Sequence, residues 1–335
     1  MKIFVTGGGG FLGFAIVKQL RANEHEVVSF SRNAHPALNQ FGVTHLQGDI
    51  SEYKVLKESM TGCEAVFHVA AKTGIWGKYE EYYRVNVKGT ENILLACREL
   101  NIRNLVFTSS PSVVFDGKNS EGQNESLPYA KKYNAWYPQT KAIAEKLVMN
   151  ANYDTLKTVS LRPHLIWGPG DTHYIPKLFK KAKAGKLRIL GNSANLVDCT
   201  YIDNAAKAHL KVFDQLLIDP TPVEGKTYFI SQGTPIPITE LINKLLAIGA
   251  YPPVAKRLSP GIARIAGRLL EITYRLFGIS SEPPITFFLA NQLSTSHWYD
   301  ISAAKKDFGY EVEISFEEGM ERLRTWVLKS SDLIQ

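Results

Sequence analysis

Lys2-Ile-Phe-Val-Thr6-Gly7-Gly8-Gly9-Gly10-Phe11-Leu12-Gly13 opens the chain and decides how the rest of it is read. A short apolar run, the pattern of a buried strand, passes into glycines and then into the apolar periodicity of a helix. Glycines at 7, 10 and 13 allow a tight turn, close backbone approach to a pyrophosphate, and close packing of helix on sheet. Phe11 and Leu12 lie in the first turn of that helix, whose N-terminus offers free N–H groups and a positive dipole end to an anion. A glycine motif alone is a weak signal. Set between a strand and a helix, it is the context a dinucleotide requires.

Outward from this turn, strand-like and helix-like stretches alternate. Strands are expected at Lys2–Val5, Glu26–Phe30, Val43–Gln47, Ala65–Val69, Leu105–Thr108 and Thr158–Leu161. Helices are expected at Phe11–Ala22, Tyr53–Met60, Tyr79–Leu100 and Tyr137–Ala151. Such alternation indicates βαβ units, and so an α/β fold with a doubly wound parallel sheet of the Rossmann kind. After Arg162 the rhythm is broken by Pro163, Gly168, Pro169 and Gly170. A basic helical segment follows at Pro176–Gly185, with strands near Thr200–Ile202 and Thr227–Ser231 and a helix at Asn204–Leu217 between them. From Thr234 prolines are dense and the elements read as mainly helical. The chain therefore divides into a cofactor-binding region, 1–167, and a smaller substrate region, 168–335, with 197–232 expected to return to the sheet.

Composition narrows the function classes. The 335 residues are 44% hydrophobic and 21% charged, ordinary for a globular chain and against disorder. The net charge of +7 is modest and its basic residues are scattered apart from one local concentration, so a nucleic-acid footprint is weakly supported. Cys63, Cys97 and Cys199 are too few and too far apart for a disulfide framework or a zinc site, so no metal is expected. Met1-Lys2 runs straight into an apolar strand without a leader-like stretch, and no apolar run reaches about 18 residues. A cytoplasmic protein is the expectation.

Cofactor choice turns on the end of the second strand. Enzymes that use NAD place a carboxylate there to hold the ribose 2′-OH. Here the segment is Val28-Ser-Phe-Ser31-Arg32, where a serine and an arginine suit a 2′-phosphate as charge-assisted donors. NADP(H) is expected over NAD(H), with Arg32 as a solvated loop residue the competing reading. Gly48-Asp49-Ile50 closes the third strand. Asp49 there either reaches an adenine amino group or forms the turn.

Tyr137 and Lys141 stand four apart and so share a helix face. A phenol with a pKa of about 10 is a poor acid–base group at neutral pH, and a nearby ammonium favours its phenolate. The spacing is common and by itself means little. Phe107-Thr108-Ser109-Ser110, however, ends the fifth strand at the sheet edge where such folds bind ligands, 27 residues before Tyr137.

Together with the glycine turn, Ser110, Tyr137 and Lys141 resemble the extended branch of the short-chain dehydrogenase/reductase superfamily. So do His68-Val-Ala-Ala71, Asn86-Val-Lys-Gly-Thr90, Arg162-Pro163 and Tyr201-Ile-Asp203-Asn204. The resemblance covers essentially the whole chain. It implies that Tyr137 is the acid–base residue and that Ser110 orients the substrate oxygen. It also implies that Lys141 lowers the Tyr137 pKa and holds the nicotinamide ribose. Thr108, Ala70, Ala71 and the backbone at Pro163 and Leu165 would line the cofactor, and Asn86 would brace helix and sheet.

Sugar-nucleotide 4,6-dehydratases carry an Asp-Glu pair after the catalytic Ser/Thr, where this chain has Pro111-Ser112, which disfavours elimination. Thr108-Ser-Ser-Pro-Ser-Val-Val114, Leu161-Arg-Pro-His-Leu-Ile-Trp-Gly-Pro-Gly-Asp171 and Val197-Asp-Cys-Thr-Tyr-Ile-Asp-Asn204 resemble the 3β-hydroxysteroid dehydrogenase family. Within it, Ala70-Ala-Lys-Thr-Gly-Ile-Trp-Gly77, Glu282-Pro-Pro-Ile285 and Ser296-His-Trp-Tyr299 look like the bacterial 2-alkyl-3-oxoalkanoate reductases of long-chain olefin biosynthesis. The resemblance implies an oxidoreductase interconverting 3-oxo and 3-hydroxy groups on an apolar small molecule. A sugar-nucleotide epimerase with tightly held NAD is the alternative, kept alive by Lys177, Lys180, Lys181 and Arg188. A redox-silent NADP(H)-binding regulator is the third reading. A homodimer through the Tyr137 helix is compatible with the family.

One helix stands apart. At ~100° per residue, Ile262, Ile265, Ala266, Leu269, Leu270, Ile272, Leu276 and Phe277 share one arc, and Arg264, Arg268 and Arg275 gather opposite with Glu271. An ordinary surface helix would turn that arc onto the core. The sharper alternative for 262–277 is peripheral contact with anionic lipid, or a lid over a long-chain substrate.

Overall fold

Seven parallel strands form the central sheet in a computed structural model that describes residues 1–153, 155–191 and 195–330. In chain order they are β1 (Lys2–Thr6), β2 (Glu26–Ser31), β3 (Thr44–Gln47), β4 (Ala65–His68), β5 (Asn104–Thr108), β6 (Lys157–Pro163) and β7 (Lys226–Ile230). Their spatial order is β7-β6-β5-β4-β1-β2-β3, with every pairing parallel. The order reverses between β1 and β4, which opens a crevice at the carboxyl ends of those strands.

The strands are apolar on both faces because helices cover both. Ile3, Val5, Val27, Phe67 and Val106 point to one side, where α1 (Phe11–Ala22) and the later helix Ile202–Leu216 pack. Phe4, Val28, Val66, Leu105 and Phe107 point to the other, against α2 (Tyr53–Met60), α3 (Gly89–Glu99) and α4 (Trp136–Asn150). Neighbours in sequence thus alternate between two cores, as a pleated strand requires.

The helix expected over Tyr79–Leu100 is interrupted. Tyr83–Lys88 is a π-turn between Tyr79–Tyr82 and α3, and it carries the buried Asn86. The sequence pattern could not reveal this, because one extra residue in a turn leaves the apolar periodicity nearly intact. Beyond the sheet, Ile236–Pro237, Leu196–Val197, His297–Tyr299 and Ser120–Gln123 form a small second sheet of four very short strands.

The helix Pro260–Leu276, here α5, departs from its expected packing. Its buried residues are Ala263, Gly267 and Glu271, one turn apart, and its broad apolar arc faces outward. A Cβ on Gly267 would stand 2.7 Å from the carbonyl carbon of Thr286, so the small side of the helix meets the chain just before α6 (Phe287–Leu293). Among the described residues, no helix is long and apolar enough to cross a membrane.

Candidate active site

The crevice is a cleft of about 720 Å³ at the carboxyl ends of the strands. Gly7, Gly10, Phe11, Leu12 and Gly13 line one end of it; Ser31, Arg32, Asp49 and Ile50 line the rim of β2 and β3. Ala70, Ala71, Thr108, Ser110, Tyr137, Lys141, Pro163 and Leu165 complete the wall. Every residue singled out from the sequence for cofactor or chemistry therefore borders one space.

The glycine turn fits a dinucleotide. A Cβ on Gly13 would collide with the Gly7 carbonyl oxygen, and Gly7 itself has φ +69, a conformation that other residues adopt at a cost. Helix α1 has no side-chain N-cap and no acidic residue in its first turn, so its first N–H groups and positive end remain available to an anion. These residues would hold the pyrophosphate.

At the rim, Ser31 and the exposed Arg32 stand with His35, which the sequence reading missed. The His35 ring lies against Gly9 so closely that a Cβ there would overlap it. It also meets His45 edge-on at 5.5 Å, and burial, then His45, lowers its pKa. The ring is thus a neutral hydrogen-bonding group, while Arg32 brings charge. No sequence signal pointed to it, because His35 lies four residues beyond β2 in a loop of its own.

Asp49 lines the cleft, but its carboxylate is already engaged. Oδ1 accepts the backbone N–H and the hydroxyl of Ser51 at 2.9 and 2.8 Å, and Oδ2 accepts from Arg84 at 2.8 Å. Burial works against its charge, yet these partners hold the carboxyl below its ordinary range. The turn-forming role is the one seen.

Ser110 and Tyr137 stand together in the wall of the cleft. Ser110 Oγ also lies 2.9 Å from Ser112 Oγ and accepts the Ser112 N–H at 3.2 Å, which fixes it at the end of β5. Burial raises the Tyr137 phenol; the nearby Ser110 hydroxyl opposes the rise. Lys141 is 2% exposed, donates from Nζ to the Thr108 carbonyl at 2.6 Å, and stands 3.9 Å from the centre of the Phe107 ring. Burial brings its ammonium down to about 7, against the pull of Glu145 one turn further along α4. On the face of α4 that carries Tyr137, Lys141 thus rests on the Thr108 carbonyl, while burial and then Ser110 act on the phenol.

Glu145 links this helix to the sheet. Arg162 donates to it from Nη2 at 2.6 Å and from Nε at 3.0 Å, and Ser160 Oγ donates at 3.1 Å. Both side chains of the ion pair are buried.

A second network fixes the floor of the cleft. Thr6 Oγ1 accepts the N–H groups of Val69 and Ala70, both at 3.0 Å, which leaves its hydrogen for Nδ1 of His68 at 2.8 Å. Nε2 of His68 must then carry the proton, which it donates to Thr90 Oγ1 at 2.9 Å, and Thr90 donates to the Asn86 carbonyl at 2.7 Å. Burial, then Lys141, holds the His68 ring neutral, with its pKa pushed down to about 3. The Asn86 amide accepts the Lys72 N–H at 2.7 Å and donates to the Lys72 carbonyl and to Thr140 Oγ1. Asn86 thus braces the loop after β4 against α4, as the resemblance implied.

A family model described as the 3-beta hydroxysteroid dehydrogenase/isomerase family matches residues 4–252. The chain belongs to this family. Two bacterial members named 2-alkyl-3-oxoalkanoate reductase align along almost the whole chain. That of Shewanella oneidensis is 46% identical, covering 96% of this chain and 85% of the relative. That of Stenotrophomonas maltophilia is 45% identical, covering 97% and 98%. The sterol-4-alpha-carboxylate 3-dehydrogenase (decarboxylating) of Mus musculus is 33% identical over 96% of this chain and 89% of its own. Among solved structures, UDP-glucuronic acid 4-epimerase of Bacillus cereus in complex with NAD superposes with a TM-score of 0.75. It is 22% identical and both chains are covered completely, a likeness of fold alone. This family membership makes the chain an oxidoreductase of the dehydrogenase/reductase class that acts on hydroxyl and oxo groups with NAD or NADP.

Proposed function

We propose that this chain is an NADPH-dependent reductase that converts the 3-oxo group of a 2-alkyl-3-oxo acid, or a close apolar analogue, into a hydroxyl. The observation that carries this reading is the near end-to-end likeness, at 45–46% identity, to two proteins of that name. The choice of NADPH is supported by a β2 rim that offers Ser31, Arg32 and His35 where a carboxylate would favour the bare ribose.

When bound, the cofactor supplies the hydride. Gly7, Gly10, Phe11, Leu12 and Gly13 hold its pyrophosphate, and Arg32 with Ser31 and His35 holds the 2′-phosphate. Ile50 and Asp49 flank the adenine, while Ala70, Ala71, Thr108, Pro163 and Leu165 border the path to Tyr137. Ser110 and Tyr137 point two hydroxyls at one place, so both can donate to the substrate oxygen as negative charge grows on it. Tyr137 then gives its proton to that oxygen, and the raised phenol pKa keeps it protonated and ready at neutral pH. Lys141, on the same helix face, offers its positive charge to the phenolate left behind and, with the cofactor bound, to the ribose.

The test is NADPH oxidation by the purified protein with 2-alkyl-3-oxo acids, 3-oxosteroids and UDP-sugars in parallel. Tyr137→Phe is expected to lower kcat by roughly 10²–10⁴ while NADPH still binds, read by its fluorescence. Near-normal turnover in that variant, or activity confined to UDP-sugars, refutes the reading.

A further inference from the structure

Helix α5 presents an apolar surface that nothing else among the described residues covers. Ile262, Ile265, Leu269, Ile272, Leu276 and Phe277 range from 48% exposed at Ile272 to 79% at Leu276, and Ile279 adds to the patch beyond the helix end. The orientation is built in. Ala263 and Gly267 admit the chain before α6, the Glu271 carboxylate accepts the Phe287 N–H at 2.8 Å, and Arg264 donates to Asn291 and Ser294. At ~100° per residue, the six exposed side chains of 262–277 span about 140°. Large apolar patches left bare on a folded surface mark contact with something else.

Charge says what that something is. Between 256 and 281 there are five basic residues, Lys256, Arg257, Arg264, Arg268 and Arg275, and one acidic residue, Glu271, which is buried. This stretch therefore carries +4 of a whole-chain +7. Lys256, Arg257, Arg268 and Arg275 are exposed. Arg268 and Arg275 line one edge of the apolar arc; Arg268 pairs with Glu271 at 3.8 Å and lies on the Phe287 ring, yet stays half exposed, where a long basic side chain can reach phosphate while the arc is buried. Five of the six apolar residues also fall at the alternating three- and four-residue spacing of a helix-pairing seam. Yet an antiparallel second copy would set arginine against arginine across that seam, and Phe277 and Ile279 widen the patch beyond it.

We propose that α5 is a lipid-contact helix, lying flat on an anionic bilayer surface with Ile262, Ile265, Leu269, Ile272, Leu276 and Phe277 among the acyl chains. The contact adjoins the catalytic cleft. The Arg275 guanidinium lies over the rings of Trp76, at 5.6 Å, and Trp136, at 6.0 Å, and Trp136 immediately precedes Tyr137. The Trp76 indole N–H donates to the Ile279 carbonyl at 3.2 Å. On the reading of function above, a long-chain substrate dissolved in lipid would reach Tyr137 by passing this end of the helix.

The experiment is co-flotation of the full-length protein with vesicles of phosphatidylcholine alone or mixed with phosphatidylglycerol, at low and raised salt. The expected result is flotation with the anionic vesicles only, weakened by salt. Leu269→Ser/Leu276→Ser should weaken it at least about tenfold, since each change withdraws a leucine side chain from lipid. Arg268→Gln should weaken it about fivefold. The two leucines are exposed, so the double variant should keep the wild-type thermal midpoint, whereas Arg268→Gln also removes the partner of Glu271 and is read only while folded; a folded variant that floats unchanged overturns the proposal. Absence of flotation overturns it as well. So does a dimer, seen by light scattering, that the double variant dissociates while vesicles bind nothing, which assigns the patch to a second copy. Saturable binding of an acidic amphipathic peptide in place of vesicles assigns it to a protein partner and equally overturns it. Flotation is read without turnover, so its failure leaves the reductase reading standing, and inactivity on 3-oxo acids leaves the lipid contact standing.

Discussion

Glu145→Ala strips the buried Arg162 guanidinium of its carboxylate. The Arg162 side chain is 3% exposed and that of Glu145 is fully buried. The pair shares a short Nη2–Oε1 bond and a second Nε contact, with Ser160 adding a third donor. An uncompensated charge in such a place costs about 3–5 kcal/mol of stability. With an unfolding entropy of roughly 2.1 cal/mol/K per residue, a chain of this length loses about 1.4 °C per kcal/mol, so the midpoint should fall by about 4–7 °C. Replacing both partners by apolar residues of similar volume, Glu145→Leu/Arg162→Met, should bring stability back to within about 1 kcal/mol of the parent. Thermal and urea unfolding followed by circular dichroism measure both. A single variant within about 1 kcal/mol of the parent would show that water reaches the pair and that the argument from burial is wrong. A double variant no better than the single would show that α4 needs these groups for packing and not for charge.

Three further outcomes follow from the cleft. Arg32→Ala should weaken NADPH binding roughly ten- to a hundredfold, the worth of a hydrogen bond to a charged group, with NADH little affected; equal losses for both cofactors would remove Arg32 from the 2′-phosphate. Gly13→Ala places a methyl on the Gly7 carbonyl and should cost at least about tenfold in cofactor affinity, whereas Gly261→Ala, whose nearest neighbour is Ser259 Oγ at 3.8 Å, should change nothing; calorimetric titration with NADPH decides. Because burial lowers Lys141 to about 7 while it raises Tyr137, the acid keeps its proton and the lysine loses its charge as pH climbs. Reduction measured as kcat/KM should therefore fall as pH rises through about 7, and a profile flat from about pH 6 to 9 would exclude Lys141 as the titrating group.

Most of the sheet could be read in advance because strands covered on both faces are continuous apolar runs, and those of β1, β2, β4 and β5 are punctuated by glycine or polar turns. Helices α1 and α2 coincide with their expected bounds, since each begins where an apolar period begins. The second sheet was not legible: strands of two to four residues are too short to show a period. The glycine turn could be found from its place between a strand and a helix, and Ser110, Tyr137 and Lys141 from the family pattern that they resemble together with it. His35 could not, since it reaches the cleft through a loop. The outward face of α5 stands as the lesser of two readings of its sequence for a different reason. A helical wheel ranks sides by hydrophobicity, but the packed side here was chosen by how near two backbones can come, and Gly267 wins that contest over six larger apolar residues.

The chain of hydrogens from Thr6 through His68 and Thr90 to Asn86 runs in one sense only, since each group has a single proton to give and has already committed it. It welds the exit of β1, the exit of β4 and the π-turn into one stiff keel beneath the cleft. Arg32, Asn33, His35 and Thr73 line the cleft built on that keel, and three residues beyond Thr73 the Trp76 indole ties the same wall to the foot of α5.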